Sequence, residues 1–286
     1  MEIAIADERA LVFQEQLTMD QAEGRAWGHK LDAFGSMEKV TSFLRRPKDE
    51  DFKLIYKEHR LQPFWHIECQ ARYVYERQRE YPITLSGPEV AAVTIDDREY
   101  PALNDRIVLK AVEHCREEPH REVFIDGYTG EHNQACINYL QYPANEMPIE
   151  QIDELTLKGI ILVPPQSRAT AVLRDVLLGV LKSLQADHII EDQVEVERVD
   201  LYYRPVYAFQ YRWLSKEKEA VLEIDGLTGK LQGDGKVYQQ YMGQILDAEF
   251  LFDVGAETLS LLVPGGGIAL KLARKGYNVA RSDTNS

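Results

Sequence analysis

The hydrophobic positions of the chain follow two different periods. From Phe52 apolar and polar residues alternate, which is typical of a half-buried β-strand. Pro63 opens a longer strand of the same kind, and Pro205 opens a third one much later. The residues on the apolar faces are Trp65, Ile67, Cys69, Ala71 and Tyr73 after Pro63, and Tyr207, Phe209, Tyr211 and Trp213 after Pro205.

Helical spacing of apolar residues dominates the remaining segments. Ser167 precedes a segment to residue 185 with one broad apolar face, which predicts a helix capped by Ser167. Residues 1–46 are also predicted to be helical, with Asp20 as the N-cap of a helix and Glu23 as its capping-box partner. Further helices are predicted over 237–262 and 268–275.

Two segments end in the same motif, Ile-Asp-Gly-x-Thr-Gly. From proline to motif aspartate the chain advances 63 residues after Pro63 and 20 after Pro205, so the first copy holds an insertion of about forty residues. Asp and Gly at these positions favour a tight turn over a catalytic aspartate. The predicted turn residues are Asp126, Gly127, Thr129 and Gly130 in one copy and Asp225, Gly226, Thr228 and Gly229 in the other.

These patterns predict an α+β fold with two related antiparallel sheets, each covered by helices and joined by a proline-rich connector. The expected order is an N-terminal helical segment, a first β-rich unit with an insertion, the connector, a second helix-plus-sheet unit and a C-terminal helical segment. Their bounds are 1–46, 47–140, 141–166, 167–235 and 236–286.

The second unit resembles the PepSY-type, cystatin-like domains. The resemblance is carried by the turn motif after the helix of 167–185, and a fainter copy precedes Glu131. It implies small twisted antiparallel sheets beside a helix and a role in regulating proteases. The matching residues are Leu222, Ile224, Asp225, Thr228 and Gly229, and in the fainter copy Val123, Ile125, Asp126, Thr129 and Gly130.

Charge and cysteine content narrow the functional classes. The chain has 33 basic and 47 acidic residues, a net charge of −14, which disfavours binding to duplex DNA. Three cysteines are too few for a secreted disulfide scaffold. The first residues lack the pattern of a signal peptide, and no apolar run is long enough to span a membrane. We therefore expect a cytoplasmic protein, for which peripheral membrane contact stays open.

One cluster of residues could bind a metal. His132 and Cys136 lie one turn apart if 131–140 is helical, and Cys115 and His120 could complete a tetrahedral zinc site. His114 lies in the same run, and a metal-dependent enzyme would use His114, Cys115, His132 and Cys136. The spacing matches no standard zinc pattern, so a buried cysteine with surface histidines is the alternative, and we expect no cofactor.

A glycine-rich break near the C-terminus precedes a basic segment. Backbone N–H groups at such a break can bind an anion, and the basic residues favour docking onto an acidic partner or onto this chain itself. The residues concerned are Gly265, Gly266, Gly267, Lys271, Arg274 and Lys275.

Arginines and aromatic rings interleave along two strands, as they do in proteins that bind single-stranded nucleic acid. No catalytic motif is recognised, so we expect a non-catalytic binding or regulatory protein that acts through protein–protein contacts or self-association. A metal-dependent enzyme and a single-strand binder are the alternatives. The interleaved residues are Arg72, Tyr73, Tyr75, Arg77, Arg79 and Tyr81, and Tyr202, Tyr203, Arg204, Tyr207, Tyr211, Arg212 and Trp213.

Overall fold

The computed structural model of the chain describes residues 1–35, 47–147, 154–155, 158–232, 235 and, as backbone, 271–275. Two α-helices and thirteen strands fall within them, together with short 3-10 helices over Lys30–Phe34, Asp49–Asp51, Gln134–Gln141 and Leu214–Lys216. The helices are α1 (Met19–Gly28) and α2 (Ala169–Val180). The strands are β1 (Glu2–Ala6), β2 (Glu8–Phe13), β3 (Phe52–Thr84), β4 (Ala92–Ile95), β5 (Arg98–Pro101), β6 (Arg106–Glu117), β7 (His120–Asp126), β8 (Ala144–Glu146), β9 (Ile160–Leu162), β10 (His188–Trp213), β11 (Lys218–Asp225), β12 (Leu231–Gln232) and β13 (Lys271–Lys275).

Two very long strands form the centre of the sheet. β3 has 33 residues and β10 has 26, and they pair antiparallel from Phe52 opposite Trp213 to Glu76 opposite His188. The free edge of β3 is filled in turn by β9, β7 and β6. The free edge of β10 is filled by β1, β2 and β11, and β12, β8 and β13 extend these.

The predicted α+β fold with two separate sheets is wrong. The described chain is mostly β, and eleven of its strands form one mixed sheet, beside a small hairpin of β4 and β5. The strands that begin the two repeated units pair with each other instead of centring a sheet each. Alternation of apolar residues shows which face of a strand is buried, but it does not show which strand lies beside it.

The prediction that residues 1–46 are helical is also wrong for much of that segment. Residues 2–13 form β1 and β2, and alternate side chains such as Ile3 and Ile5 are buried, a period of two. α1 begins after Thr18, whose hydroxyl accepts from the Gln21 amide while the Gln21 side chain accepts from the Thr18 amide. This capping box replaces the predicted one at Asp20.

Two further boundaries differ from the predictions. Arg168, without a side-chain cap bond, is the N-cap of α2 in place of the predicted Ser167. Lys271–Lys275 is a strand parallel to β1, so the C-terminal part of the predicted helix over 268–275 is wrong. Hydrogen bonding to the parallel strand β1 stabilises the extended conformation of this short segment more than its weak helical pattern stabilises a helix. The predicted helix over 237–262 lies outside the described residues.

Both helices lie on one face of the sheet. α2 packs on β3 and β7 through Val172, Leu173 and Val176, and α1 packs on β10 and β11 through Ala22 and Ala26. The opposite face carries a smaller aromatic core under the 3-10 helix of 134–141. Its residues are Phe13, Phe64, Phe124, Cys136, Tyr202 and Leu227.

The chain is built from two copies of one unit that exchange their first elements. The first copy comprises β2, α1, β3 and β7, and the second comprises β9, α2, β10 and β11. β2 pairs parallel to β10, with Ala10 opposite Leu201, while β9 pairs parallel to β3, with Ile160 opposite His59. Each copy thus places its first strand and helix on the long strand of the other copy, and the two copies share one sheet.

Candidate functional site

The two Asp-Gly-x-Thr-Gly segments form the same turn. Asp126 Oδ1 accepts from the amides of Tyr128 and Thr129, both at 2.9 Å. Asp225 Oδ1 accepts from the amides of residues 227 and 228, at 3.0 and 2.8 Å. The closing glycines, Gly130 and Gly229, have φ of 74° and 68°, a left-handed conformation that glycine adopts without strain.

Each turn is also fixed to the proline within its own long strand. The Gly127 amide donates to the Pro63 carbonyl, and the Gly226 amide donates to the Pro205 carbonyl, both at 2.9 Å. A ring from each long strand then holds the segment before a helix of the other copy. Trp65 Nε1 donates to the carbonyl of Ser167 at 2.9 Å, and Tyr207 Oη donates to that of Leu17 at 2.6 Å.

These matching contacts define a pseudo-twofold axis through the sheet. Adding 142 to a residue number in β3 gives its counterpart in β10, as for the two prolines. In the β3–β10 pairing the residue that lies opposite its own counterpart is Gln62, which faces Arg204. Both residues directly precede the prolines, so the axis passes between the two turns.

A hydrogen-bonded network lies on this axis. Arg204 Nη1 donates to Asp225 Oδ2 at 2.7 Å, and Arg204 Nη2 donates to Gln62 Oε1 at 2.6 Å. Tyr139 Oη donates to the same carboxylate oxygen at 2.7 Å, and its ring lies 5.2 Å from the guanidinium carbon. Asp225 is 1% exposed, so its charge is neutralised inside the protein.

Burial sets the acidity of the groups around this network. The pKa of Tyr139 is raised, first by burial and then by its hydrogen bond to Asp225, against the opposing effect of Arg204. Burial raises the pKa of the Cys136 thiol beside the network to about 11, and it raises that of the Cys69 thiol, in the core on the helix-covered face, to about 12. Both thiols are therefore protonated at neutral pH and are weak nucleophiles.

A pocket of about 230 Å³ opens beside the network on the side of the first turn. Among the described residues, Gln62, Asp126, Tyr128, Asn133 and Tyr139 line it, and Arg204 closes one end. The 3-10 helix forms the outer wall, with the Asn133 side chain accepting from the Ala135 amide at its start. The site is therefore a small polar recess with aromatic sides.

A second polar group on the same face surrounds His66. Its ring stacks on Phe124 with centroids 4.3 Å apart, and its Nε2 lies 2.8 Å from Glu122 Oε1. Its Nδ1 is buried and has no partner within the described part of the chain. Burial lowers the pKa of His66, and Arg198 lowers it further, against the raising effect of Glu122.

The residues of the predicted metal site are not brought together. His114 is exposed on β6 beside Glu76, and His132 lies 3.2 Å from Asp175. Cys115 packs against the core under α2, whereas Cys136 belongs to the core on the opposite face. No group of three or more metal-binding side chains occurs among the described residues.

Most aromatic rings of the interleaved pattern belong to the core, whereas Tyr81 near the end of β3 is exposed. Tyr73, Tyr203, Tyr207, Tyr211 and Trp213 are all buried. These five rings cannot stack on bases unless the helices leave the sheet.

The predicted docking segment is described only in part. Residues 264–270 lie outside the described residues, while the backbone of Lys271–Lys275 pairs with β1. This part of the C-terminal segment therefore lies on the chain's own sheet.

A ribbon of two strands extends the sheet beyond β10. The ribbon consists of residues 77–84 of β3 and 106–113 of β6, joined through the β4–β5 hairpin. Residues 78–84 are exposed throughout, on both faces. Its exposed apolar side chains are Tyr81, Ile83, Val108 and Val112, with Leu103 near the tip.

Gln62, Arg204 and Tyr139 were not predicted from the sequence to form one site. The sequence does contain an indication of this site, because the residue before the first repeated proline is neutral, Gln62, and the residue before the second is charged, Arg204. Tyr139 carried no signal, because its segment was classed only by helical spacing.

Comparison of the chain with known proteins identifies no relative. No protein-family model, curated protein or solved structure matches the chain, so the PepSY resemblance stays a prediction. Among the described residues no helix is long and apolar enough to cross a membrane.

Proposed function

We propose that this chain is a non-catalytic binding protein that acts through protein–protein contacts, and that the ribbon is its contact surface. The observation that carries the proposal is the exposure of residues 78–84 of β3 on both faces, together with the exposed residues 110–112 of β6 beside them; Ile107 of β6 is buried. A two-stranded ribbon is marginally stable in water by itself and gains stability when another surface covers it. Its exposed apolar side chains fit such a covered state.

The edge of the ribbon offers backbone groups as well as side chains. Among the described strands β6 pairs with β3 alone, so its other edge has open N–H and C=O groups over 107–117, beyond the bridge between Leu103 and Arg106. An unpaired edge of this length is a template for contact with another chain. Val108 and Val112 lie on one face of this edge strand and are exposed.

Charge favours a second copy of this chain as the partner. The two strands of the ribbon have four basic and two acidic residues, a net charge of +2, within a chain of −14, and the segment 85–105 that joins them has a net charge of −4. The rest of the chain therefore carries −16 and attracts the ribbon of another copy. One acidic recess of about 480 Å³ is lined by Glu2, Glu118 and Glu195 around Arg72. Reciprocal docking of two ribbons gives a closed twofold dimer.

Sedimentation velocity of the full chain over a range of concentrations tests this proposal. We expect a dimer whose dissociation constant rises with added salt, because the attraction between ribbon and body is screened. The double variant Val108→Glu and Val112→Glu adds negative charge to the ribbon and should weaken the dimer by about tenfold or more.

The control is Leu214→Glu, which places one glutamate, half the charge added by the double variant, on an exposed apolar residue at the opposite end of the β3–β10 pair. It should leave the dimer unchanged. A wild-type chain that is monomeric at all concentrations, or a double variant that dimerises as well as the control, contradicts the proposal.

A further inference from the structure

The two sides of the pseudo-twofold axis differ by one charge. Asp225 is paired with Arg204 and also accepts from Tyr139. Its counterpart Asp126 has the same two hydrogen bonds within its turn. The position that would supply its cation is Gln62, and Asp126 has no ion pair with any residue that the structure describes.

The pocket of about 230 Å³ lies where that cation would be. Asp126 is the carboxylate among its described lining residues, and the guanidinium of Arg204, which also lines the pocket, is already paired with Asp225. The charge left for a ligand is therefore that of Asp126, which suits a monovalent cation. Tyr128 and Tyr139 contribute aromatic rings, whose faces attract cations. Asn133 and Gln62 contribute amide groups that can hydrogen-bond to a planar donor.

We propose that this pocket binds a guanidinium group, with the Asp126 carboxylate as its counter-ion. The second copy shows the arrangement that such a group would adopt. There the Arg204 guanidinium donates a hydrogen bond to Asp225, and its central carbon lies 5.2 Å from the centre of the Tyr139 ring. A guanidinium ligand would reproduce this contact at Asp126 across the axis. Its planar fork of donors suits a carboxylate better than the single ammonium of an amine.

Two sources can supply the group, a small free molecule or an arginine side chain of another protein. Isothermal titration of the full chain with methylguanidinium, free arginine and a blocked tripeptide with a central arginine distinguishes them. Methylguanidinium should bind, and methylammonium should bind more weakly. Tighter binding of the tripeptide than of free arginine identifies a peptide source, and the reverse order identifies a small molecule.

Asp126→Asn is the decisive variant. Asparagine retains the oxygen that accepts the two turn amides, so the turn is kept while the charge is lost. We expect methylguanidinium affinity to fall by about tenfold or more. The control Asp97→Asn removes the same charge from an exposed turn between β4 and β5 and should not change the affinity.

Gln62→Arg provides a second test that keeps the turn aspartate. It supplies a guanidinium from the chain itself and should abolish binding of the added one. Thermal unfolding and far-ultraviolet circular dichroism verify that both variants fold. Absence of methylguanidinium binding to the wild type, or equal binding by Asp126→Asn, overturns the proposal.

Discussion

Among single residues, buried histidines make the stability of the protein depend on pH. His66 is 3% exposed, and burial lowers its pKa below the ordinary value. The unfolded chain therefore takes up a proton at a higher pH than the folded chain does. The stabilising contribution of neutral His66 is complete above the unfolded pKa and is lost as pH falls through the lower folded pKa.

We expect the free energy of unfolding in urea to fall between pH 7.5 and pH 5.5. His59 adds to the effect, because burial lowers its pKa as well, against the raising effect of Glu15. His66→Gln should reduce the pH dependence, whereas His188→Gln, at an exposed position, should leave it as it is. Equal pH dependence in wild type and His66→Gln would contradict this assignment.

Between secondary-structure elements, each repeated turn packs closely against the backbone of its proline. A Cβ atom built on Gly127 would lie 2.7 Å from the Pro63 carbonyl oxygen, and one on Gly226 would lie 2.9 Å from that of Pro205. Since both neighbours are backbone atoms, the turn and the long strand would have to separate.

Gly127→Ala and Gly226→Ala should each lower the free energy of unfolding by about 1–3 kcal/mol. Gly24→Ala is the matched control, because a Cβ on Gly24 has no neighbour within 4 Å and α1 gains helix propensity of about 1 kcal/mol. Urea denaturation of the three variants measures the differences. Equal effects of all three substitutions would show that the contact does not matter.

Some elements of the fold could be predicted from the sequence, and others could not. The repeated motif predicts two tight turns because Asp and Gly act within a few residues of each other. The partners of the long strands could not be predicted, since the alternation after Pro63 and Pro205 suits any neighbour. The network of Arg204, Asp225 and Tyr139 joins residues far apart in sequence, so only the pairing of the strands brings it together.

For the whole molecule, the exchange of first elements makes the copies mutually dependent. β2 and α1 cover the long strand of the second copy, while β9 and α2 cover that of the first. Each half of the chain alone would expose the apolar face of its long strand and lack the helix that covers it.

We therefore expect fragments 1–150 and 151–286 to form a one-to-one complex when produced together, and to aggregate or stay unfolded when produced separately. Size-exclusion chromatography with light scattering measures the stoichiometry, and circular dichroism measures the folding. Cooperative unfolding of either fragment by itself would show that the halves fold independently.

Because Gln62 and Arg204 lie on the axis, the protein can have a binding site that is present on one side of the axis and absent on the other. In a dimer of identical chains built from one such unit, a residue on the axis meets itself. Two arginines would bring two guanidinium groups together, and two glutamines would leave both aspartates without a cation. Because both copies lie in one chain, the residues at positions 62 and 204 are encoded separately and can differ. The Gln62–Arg204 pair thus gives a one-sided recess that a symmetric dimer of identical chains cannot have.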